Sequence, residues 1–589
     1  MTLFLIENKL KNHKKFIIFM SECIFAIILF CISIRHIFET TNLVVWDELG
    51  YWGSAAYLAG YDWSSVVTAN AGYYSYGYSL ILALILRLFA AGGHAYQIAI
   101  LFNGLLCVCS YLLAIYVGCY FIGKEKKQYV VVFAFMVSMY GNNITQSCFA
   151  WSETVLIFLF WAIVSIFISI QHKYSFIKVL LLCITLVYMF LVHTRTIGIM
   201  IAGFLGIILV FIKNRRENSR KKIIQCVFVV CIFAILLLGG EFVKKIIKTE
   251  VWKVLPDAYL ANTSSVLIGD TIRKFSINGI VEIIKTFLNR FFYWGSVSYF
   301  FIFVCIKEIC VKIYNNIKKG EWNIVFFFLI LAMLGNFGVL SLTLSFQGSY
   351  QALLYGRYAD IMIGPFFLIG ILLFMVNDKV KKRAVVLELF IYEVLQLILF
   401  YNANSIEITR DYFVANCNVD FYKYWIETDN GGYDYYRFML IGILVYCCLL
   451  VIRYFINSKK MISAWMGITI ILCVYCKSKY DVSEAVFYKT YTNYDGVVPV
   501  IDEIAEYCSD YDKIYFYRDD NWRCSPLEMW TQFRMYDKKI IDVKSLKELE
   551  DCMVLVPREL VQENTYLPSI EIEGEMILAD KYIALYQLP

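Results

Sequence analysis

Two adjacent carboxylates near the amino terminus are the first residues of this chain that could do chemistry. Asp47 and Glu48 begin a segment in which Leu49 and Trp52 fall on one face at helical spacing. Carboxylates can hydrogen-bond to hydroxyls or bind a divalent cation such as Mg²⁺. Acidic side chains also suit the start of a helix, because the free amides and the helix dipole favour negative charge there. The spacing alone leaves both interpretations open.

The residues that follow this carboxylate pair are rich in aromatic side chains and poor in charge. The aromatic side chains include Tyr61, Trp63, Tyr73, Tyr74, Tyr76 and Tyr78. This composition is typical of a shaped surface that touches sugar rings and lipid, rather than of a solvated connector.

A third carboxylate and a few basic residues complete the set of chemical candidates. Glu153 follows Ser152, and the two side chains could simply cap a helix. The basic candidates are His193, Arg195 and Arg357. An arginine at the outer end of an apolar run needs a reason, because basic residues concentrate in cytoplasmic loops. Snorkelling of the side chain to the membrane interface is the ordinary explanation for Arg195.

The composition predicts that membrane helices position these residues. Of 589 residues, 60% are hydrophobic and 17% are charged, and the mean hydropathy is +0.62. In soluble proteins roughly a quarter of residues are charged. The formal net charge is only +6, and Lys and Arg lie in short clusters between apolar runs. A nucleic-acid binder would show one basic face, so no nucleic-acid partner is expected.

The apolar runs predict about thirteen transmembrane helices. A helix needs about 20 apolar residues to cross the hydrocarbon core. Runs of about this length begin near residues 16, 95, 129, 154, 178, 196, 223, 286, 323, 361, 384, 436 and 461. Basic residues concentrate in alternate loops, which predicts a cytoplasmic amino terminus and an extracytoplasmic carboxyl terminus in a multi-pass cell-membrane protein.

Four outer segments are expected between these helices. The first outer loop covers about residues 36–94, and within it the short apolar run from Ser79 to Ala91 is expected to lie along the membrane surface. The other outer segments are about 242–285, 347–360 and 402–435.

Residues 1–476 therefore form a predicted transmembrane domain, and residues 477–589 a predicted extracytoplasmic α/β domain. Val498 to Cys508 has a helical pattern, Lys513 to Tyr517 is extended, and Pro526 opens another helix. Short apolar runs at 540–541 and 553–556 indicate buried strands. The sheet is expected to be partly parallel. Most of the 19 cysteines lie in apolar runs, so neither a disulfide framework nor a metal cage is expected.

Taken in chain order, these features resemble the GT-C membrane glycosyltransferases. The features that carry the resemblance are Asp47-Glu48 with Tyr51, Leu58 and Gly60, the aromatic stretch from Tyr73 to Leu80, Glu153 at the start of a span, and Gly356-Arg357-Tyr358 before a late span. With thirteen spans and a carboxyl-terminal domain outside, the chain is most similar to the aminoarabinose transferase and protein mannosyltransferase branch. The stretch Tyr76-Gly77-Tyr78 departs from the proline-bearing version that is usual at that point.

The resemblance implies an inverting glycosyltransferase. It would move a sugar from a polyprenyl-phosphate carrier to a cell-envelope glycan, lipid or protein on the outer face. Asp47 would be the general base, and Glu48 or Glu153 would orient the sugar or hold a divalent metal ion, a cofactor that the sequence leaves open. Arg357, or else Arg195, would bind the departing phosphate, because paired guanidinium nitrogens suit that group. The remaining expected substrate-binding residues are Tyr358, His193, Tyr74 and Tyr76.

Two hypotheses from other functional classes remain open. Glu388 and Glu393 lie inside the eleventh apolar run, and ionisable residues at such depth are typical of secondary transporters. A cell-wall assembly protein that kept the fold without catalysis, or a polymer ligase, is the other alternative. For Arg357, the structural alternative to phosphate binding is an ion pair with Asp360.

Overall fold

The structure is a computed structural model of the 589-residue chain. It describes residues 2–70, 74–89, 93–214, 219–251, 276–344, 356–376, 382–403, 435–491, 498–517, 526–557, 572–580 and 583–589. Of the predicted outer segments at about 242–285, 347–360 and 402–435, residues 252–275, 347–355 and 404–434 lie outside the described residues.

Helices make up most of the described chain. In the membrane body they are α1 (Thr2–Ser33), α2 (Trp46–Ala59), α3 (Ser64–Asn70), α4 (Gly77–Phe89), α5 (His94–Ile122), α6 (Lys127–Ser138), α7 (Gly141–Gln146), α8 (Glu153–His172), α9 (Phe176–Val192), α10 (Ile197–Lys213), α11 (Ser219–Val251), α12 (Ile277–Val297), α13 (Phe301–Lys318), α14 (Ile324–Leu344), α15 (Ile363–Val376), α16 (Lys382–Ala403), α17 (Tyr435–Asn457) and α18 (Met461–Tyr491). Seven helices of the described part are long and apolar enough to cross a membrane, and four shorter apolar helices accompany them. The prediction of a polytopic helical membrane protein is confirmed.

The predicted helices compare with the structure in three ways. Each of the thirteen predicted starts lies inside a helix or within two residues of one, although the helices at 16 and 286 begin earlier, at Thr2 and Ile277, and the number of membrane crossings stays a prediction. The span expected near residue 129 is a helix of only 12 residues, Lys127–Ser138. The helix Phe301–Lys318 was not predicted, because charged residues such as Lys307 and Lys312 interrupt its apolar run.

The predicted first outer loop contains helices of its own. Helices α2, α3 and α4 lie between the end of α1 and the start of α5, and the outer location of this segment stays a prediction. The run expected along the membrane surface is the helix Gly77–Phe89, and α2 packs against it. Helix α2 ends at Gly60, whose φ of 98° is in the left-handed region that glycine adopts without a Cβ clash. The chain turns there toward the carboxyl-terminal domain.

The carboxyl-terminal domain is a small sheet with two helices. Its elements are α19 (Val498–Tyr507), β1 (Lys513–Tyr517), α20 (Pro526–Arg534), β2 (Lys539–Val543), β3 (Cys552–Pro557), β4 (Glu575–Ala579) and β5 (Ile583–Leu588). The strand order is β2-β1-β3-β5-β4. Strand β1 pairs in parallel with β2 and β3, whereas β5 pairs antiparallel with β3 and β4. The partly parallel sheet is confirmed. Helix α18 runs across residue 476, so the domain boundary predicted there stays a prediction.

Candidate active site

Asp47 lies in the first turn of α2 and has partners on both of its oxygens. The Tyr74 hydroxyl donates to Asp47 Oδ1 at 2.6 Å, and Arg357 Nη1 donates to Oδ2 at 2.5 Å. The Asp47 side chain is 30% exposed, whereas the Arg357 side chain is buried. Asp47 is therefore a carboxylate that a ligand can still reach.

Glu153 begins α8 and forms the buried side of the same cluster. One of its oxygens, Oε1, accepts from Arg357 Nε at 2.6 Å and from Arg195 Nη2 at 2.9 Å. Its side chain is fully buried. Arg357 thus bridges Asp47 and Glu153, and the four charged side chains form one network, which we call the site cluster (Asp47, Glu153, Arg195 and Arg357). The resemblance to the GT-C enzymes predicts all four as site residues. In the structure each of them contacts at least one of the other three.

Arg195 has hydrogen-bonding capacity that the described residues do not use. Its Nε and Nη1 atoms are buried and have no hydrogen-bond partner among the residues that the structure describes. Its guanidinium lies over the Tyr358 ring, 4.5 Å from the centroid. A buried charged donor without a partner is costly, at about 1–3 kcal/mol or more. This geometry favours an anionic or polar ligand next to Arg195.

His193 adjoins Arg195 and is held in its neutral form. Its Nδ1 accepts a hydrogen bond from the Arg195 backbone N–H at 3.2 Å. Burial, together with the nearby charges of Arg195 and Arg357, holds the pKa of His193 well below its ordinary value. With Nδ1 accepting, the ring proton is on Nε2, which can donate to a ligand.

Aromatic residues that were not predicted as site residues surround the cluster. The guanidinium of Arg357 lies over the Trp151 ring, 4.0 Å from its centroid. The Tyr51 hydroxyl is 2.8 Å from Ser152 Oγ, and the Tyr51 ring is 5.1 Å from that of Tyr74. Trp151 and Ser152 directly precede Glu153 in the sequence, and that adjacency is the signal that could have found them.

Glu48 has a different environment from its neighbour. Its two oxygens accept four hydrogen bonds, from the backbone N–H groups of Val44, Val45 and Ala150 and from the Tyr96 hydroxyl, at 2.6 to 3.0 Å. Burial raises the pKa of Glu48 to about 7, although these hydrogen bonds act in the opposite direction. Both oxygens are occupied by protein donors, which does not favour the catalytic or metal-binding role predicted for Glu48.

Two further predicted contacts differ from the structure. Tyr76 is buried against α11, where its hydroxyl donates to Gly240 O at 3.2 Å. Asp360, the carboxylate nearest to Arg357 in sequence, accepts instead from the hydroxyls of Tyr140 at 3.1 Å and Tyr293 at 2.8 Å. The carboxylates that pair with Arg357 come from α2 and α8.

The donor set of the site cluster does not favour a divalent metal ion. Among the described residues, no group of three His, Cys, Asp or Glu side chains is arranged to hold one. Asp47 and Glu153 each pair with a guanidinium, so a cation would have to compete with a fixed positive charge. The metal expected as one possibility from the sequence stays a prediction.

Comparison with known proteins gives a likeness of fold. No protein-family model and no curated protein matches the sequence. The structure is similar to ArnT from Cupriavidus metallidurans bound to undecaprenyl phosphate, with 10% identity, 96% of this chain and 97% of that chain covered, and a TM-score of 0.47. ArnT of the same organism in the apo state gives 11% identity, 98% coverage of both chains and a TM-score of 0.49.

A second kind of neighbour covers less of the chain. The archaeal oligosaccharyltransferase AglB from Archaeoglobus fulgidus, in complex with an inhibitory peptide and a dolichol-phosphate, has 14% identity. It covers 72% of this chain and 60% of its own, with a TM-score of 0.36. At these identities and TM-scores the structural similarity does not establish an activity, which has to be inferred from the site itself.

Proposed function

We propose that this chain is a membrane glycosyltransferase that uses a polyprenyl-phosphate-linked sugar as donor and a cell-envelope glycan, lipid or protein as acceptor. The observation that carries the proposal is the site cluster, in which a partly exposed carboxylate, Asp47, lies beside two guanidinium groups. One or more residues of each motif that resembles the GT-C enzymes lie at this cluster, namely Asp47, Tyr74, Glu153, Arg357 and Tyr358.

The phosphate of the donor would bind at Arg195. Its Nε and Nη1 are buried donors without partners among the described residues, and guanidinium nitrogens suit phosphate oxygens geometrically. The neutral His193 ring and the Tyr358 ring border the same place. A polyprenyl donor is confined to the bilayer, so a site among helix ends meets it without extracting its tail.

Asp47 would accept the proton of the acceptor hydroxyl. The acceptor oxygen forms a bond to the anomeric carbon on the face opposite the phosphate, the bond from that carbon to phosphate breaks, and the proton goes to Asp47. One displacement of this kind inverts the anomeric carbon. Glu153 is buried behind Arg357 and Arg195, so its role in the proposal is to hold both guanidiniums in place.

Arg357 links donor binding to the base. Arg357 donates a hydrogen bond to one of the two Asp47 oxygens and shares Glu153 with Arg195. A phosphate bound beside Arg195 would compete with Asp47 for Arg357 and so leave that Asp47 oxygen available to the acceptor hydroxyl. The reaction is therefore expected to require donor before acceptor.

The outer face of the membrane is part of the proposal. It is supported by the alternation of basic loops along the sequence, which puts α2 and the sheet domain outside. Cysteines introduced at two exposed positions test it, Lys547→Cys in the sheet domain and Lys319→Cys after α13. An impermeant thiol reagent should label the first in intact cells and the second after permeabilisation; the reverse pattern would overturn the orientation.

Transfer in proteoliposomes tests the function. Purified protein would be supplied with undecaprenyl-phosphate-linked sugars and an envelope extract, and transfer followed by mass analysis. Asp47→Asn should slow turnover by about 10²- to 10⁴-fold, the usual contribution of a general base. Asp481→Asn, at an exposed residue of α18, is the matched control and should retain transfer. Turnover of Asp47→Asn within a few-fold of the parent would remove the assignment.

A further inference from the structure

The sheet domain is joined to the first outer loop through α20. The indole Nε1 of Trp530 donates to Leu43 O at 3.1 Å, and Asn42 Nδ2 donates to Trp530 O at 3.3 Å. Trp530 is buried, although it belongs to a short helix of a separate domain. Two reciprocal hydrogen bonds therefore fix α20 against the chain segment that leads directly into α2.

Phe533, one turn further along α20, inserts into an aromatic cluster of the loop. Its ring is edge-on to Trp52, Trp63 and Tyr96, with centroid distances of 5.0, 6.1 and 6.2 Å. Phe533 is only 2% exposed. Edge-to-face pairs of this kind stabilise a contact beyond the burial of area alone. The ring thus touches α2 through Trp52 and α5 through Tyr96.

Tyr96 connects this contact to the carboxylate pair. Its hydroxyl donates to Glu48 Oε1 at 2.7 Å, and Glu48 in turn accepts from the backbone amides of Val44 and Val45. These bonds fix the first turn of α2. Asp47 is in that turn, next to Glu48, so the position of its carboxylate depends on the same bonds.

We propose that Phe533 is a positioning residue of the sheet domain, and that it holds the Asp47 carboxylate in place through Tyr96 and Glu48. The inference rests on the proposed function, because it assigns the sheet domain a part in that reaction. A displacement of about 1 Å at a reacting group can lower a rate by roughly 10²-fold. The sheet domain therefore sets the turnover of the transferase without touching its substrates.

Other contacts attach the sheet domain to the loop independently of Phe533. Lys539 Nζ pairs with Asp62 Oδ2 at 2.5 Å, and the Asp542 N–H donates to Ser65 Oγ at 3.2 Å. Removal of the Phe533 ring should therefore loosen α2 while the domain stays attached.

Steady-state kinetics of Phe533→Ala in proteoliposomes test the proposal. We expect kcat to fall about tenfold or more, with the KM for the lipid-linked donor within about twofold of the parent, since only the transition state needs the exact placement of Asp47. Phe516→Ala, which removes a buried ring from the inner strand β1 of the same sheet, is the control for loss of domain stability. Equal kcat values for Phe533→Ala and the parent would overturn the proposal.

A double-mutant cycle with Tyr96→Phe separates positioning from general stability. Tyr96→Phe keeps the ring that touches Phe533 and removes the hydroxyl that binds Glu48. If Phe533 acts through that hydroxyl, Phe533→Ala should cause little further loss of kcat in the Tyr96→Phe protein. Losses that simply multiply would overturn the route through Tyr96.

Two further variants keep the outcomes distinct. If Phe533→Ala is not recovered folded, Phe533→Leu serves in the same cycle, since it keeps an apolar side chain and loses the aromatic edge contacts. Asp47→Asn is measured beside them. Transfer that survives Asp47→Asn would overturn the proposed function, whereas a dead Asp47→Asn with an unaffected Phe533→Ala would overturn this inference alone.

Discussion

Two of the ionic clusters among the described helices, the Glu388 cluster and the site cluster, differ in how completely their hydrogen bonds are satisfied. Glu388 of α16 accepts from Lys307 Nζ at 3.0 Å and from the Tyr446 hydroxyl at 2.7 Å, so both oxygens have a donor (the Glu388 cluster). In the site cluster Arg195 keeps two buried donors without partners among the described residues. A buried polar group without a partner costs more than a formed bond contributes. Unused donors, rather than buried charge as such, therefore distinguish a ligand site from a structural ion pair.

The hypothesis of a secondary transporter is based on Glu388 and Glu393. The Lys307 side chain is 34% exposed, so its ammonium group is not enclosed by protein. Glu393, the second carboxylate of that helix, is exposed. Neither residue contacts the site cluster among the described contacts. The comparison favours a structural role for Glu388, and the first prediction tests it directly.

The largest difference in sugar transfer is expected between Arg357→Ala and Glu388→Gln. Loss of Arg357 leaves the buried Glu153 with Arg195 alone and Asp47 with only the Tyr74 hydroxyl, and removal of one partner from a buried ionic network costs about 3–5 kcal/mol. Transfer should fall by roughly 10²-fold or more, with partial recovery in Arg357→Lys, whose point charge replaces a forked one. Glu388→Gln should keep transfer within a few-fold, and its folded yield should be followed by gel filtration. A larger loss of transfer in Glu388→Gln than in Arg357→Ala would reverse the comparison.

A smaller effect is expected at Arg195. If its unused donors bind the carrier phosphate, Arg195→Ala should raise the dissociation constant for undecaprenyl phosphate by about tenfold to a hundredfold, the range of a charged hydrogen bond. Native mass spectrometry of protein in nanodiscs would measure this. Arg453→Ala, which removes a buried arginine of α17, is the control for an altered helix body. Unchanged phosphate affinity in Arg195→Ala would remove Arg195 from the donor site.

Glu48→Gln tests whether the adjacent carboxylates Asp47 and Glu48 have different roles. The glutamine amide would direct donors at N–H groups that now donate to Glu48, so stability should fall by about 1–3 kcal/mol. Turnover per folded molecule should change far less than in Asp47→Asn. Thermal unfolding together with active-site-normalised rates would show this, and a full loss of turnover at unchanged stability would return Glu48 to the catalytic group.

The smallest effect concerns the ion pair between the sheet domain and the loop. Burial alone would raise the pKa of Asp62, but Lys539 and Ser64 outweigh it and lower that pKa from 3.8 to about 2. A lowered carboxyl pKa stabilises the docked form above the ordinary pKa, and this contribution is lost as the pH falls from about 4 toward 2. The protection factor of the Asp542 amide, which corrects its exchange rate for the intrinsic effect of pH, should fall over that range. The same fall in Asp62→Asn would contradict the assignment to Asp62.

Much of the fold could be predicted from sequence, because apolar runs of membrane length are local signals. The helix Phe301–Lys318 escaped because its charged residues make it amphipathic. The partly parallel sheet followed from short apolar strands between helical segments. For the site, Asp47, Glu153, Arg195 and Arg357 were all named, but their pairing was not.

The pairing could not be predicted because it depends on tertiary packing. Arg357 meets Asp47 across 310 residues, whereas Asp360, only three residues from Arg357, binds tyrosines instead. Asp47 and Glu48 show the same limit at the shortest range. Successive side chains on a helix point about 100° apart, so one of the two faces the site and the other faces the protein interior.

The separation of the site residues along the chain also has a consequence for biosynthesis. Glu153 lies 42 residues before Arg195 and 204 residues before Arg357. At a synthesis rate of about 5–20 residues per second, Arg195 follows Glu153 from the ribosome after roughly 2–8 s, but Arg357 follows only after roughly 10–40 s. Arg195 is thus the partner that can neutralise Glu153 while the nascent helices enter the bilayer, and Arg357 joins an ion pair that already exists.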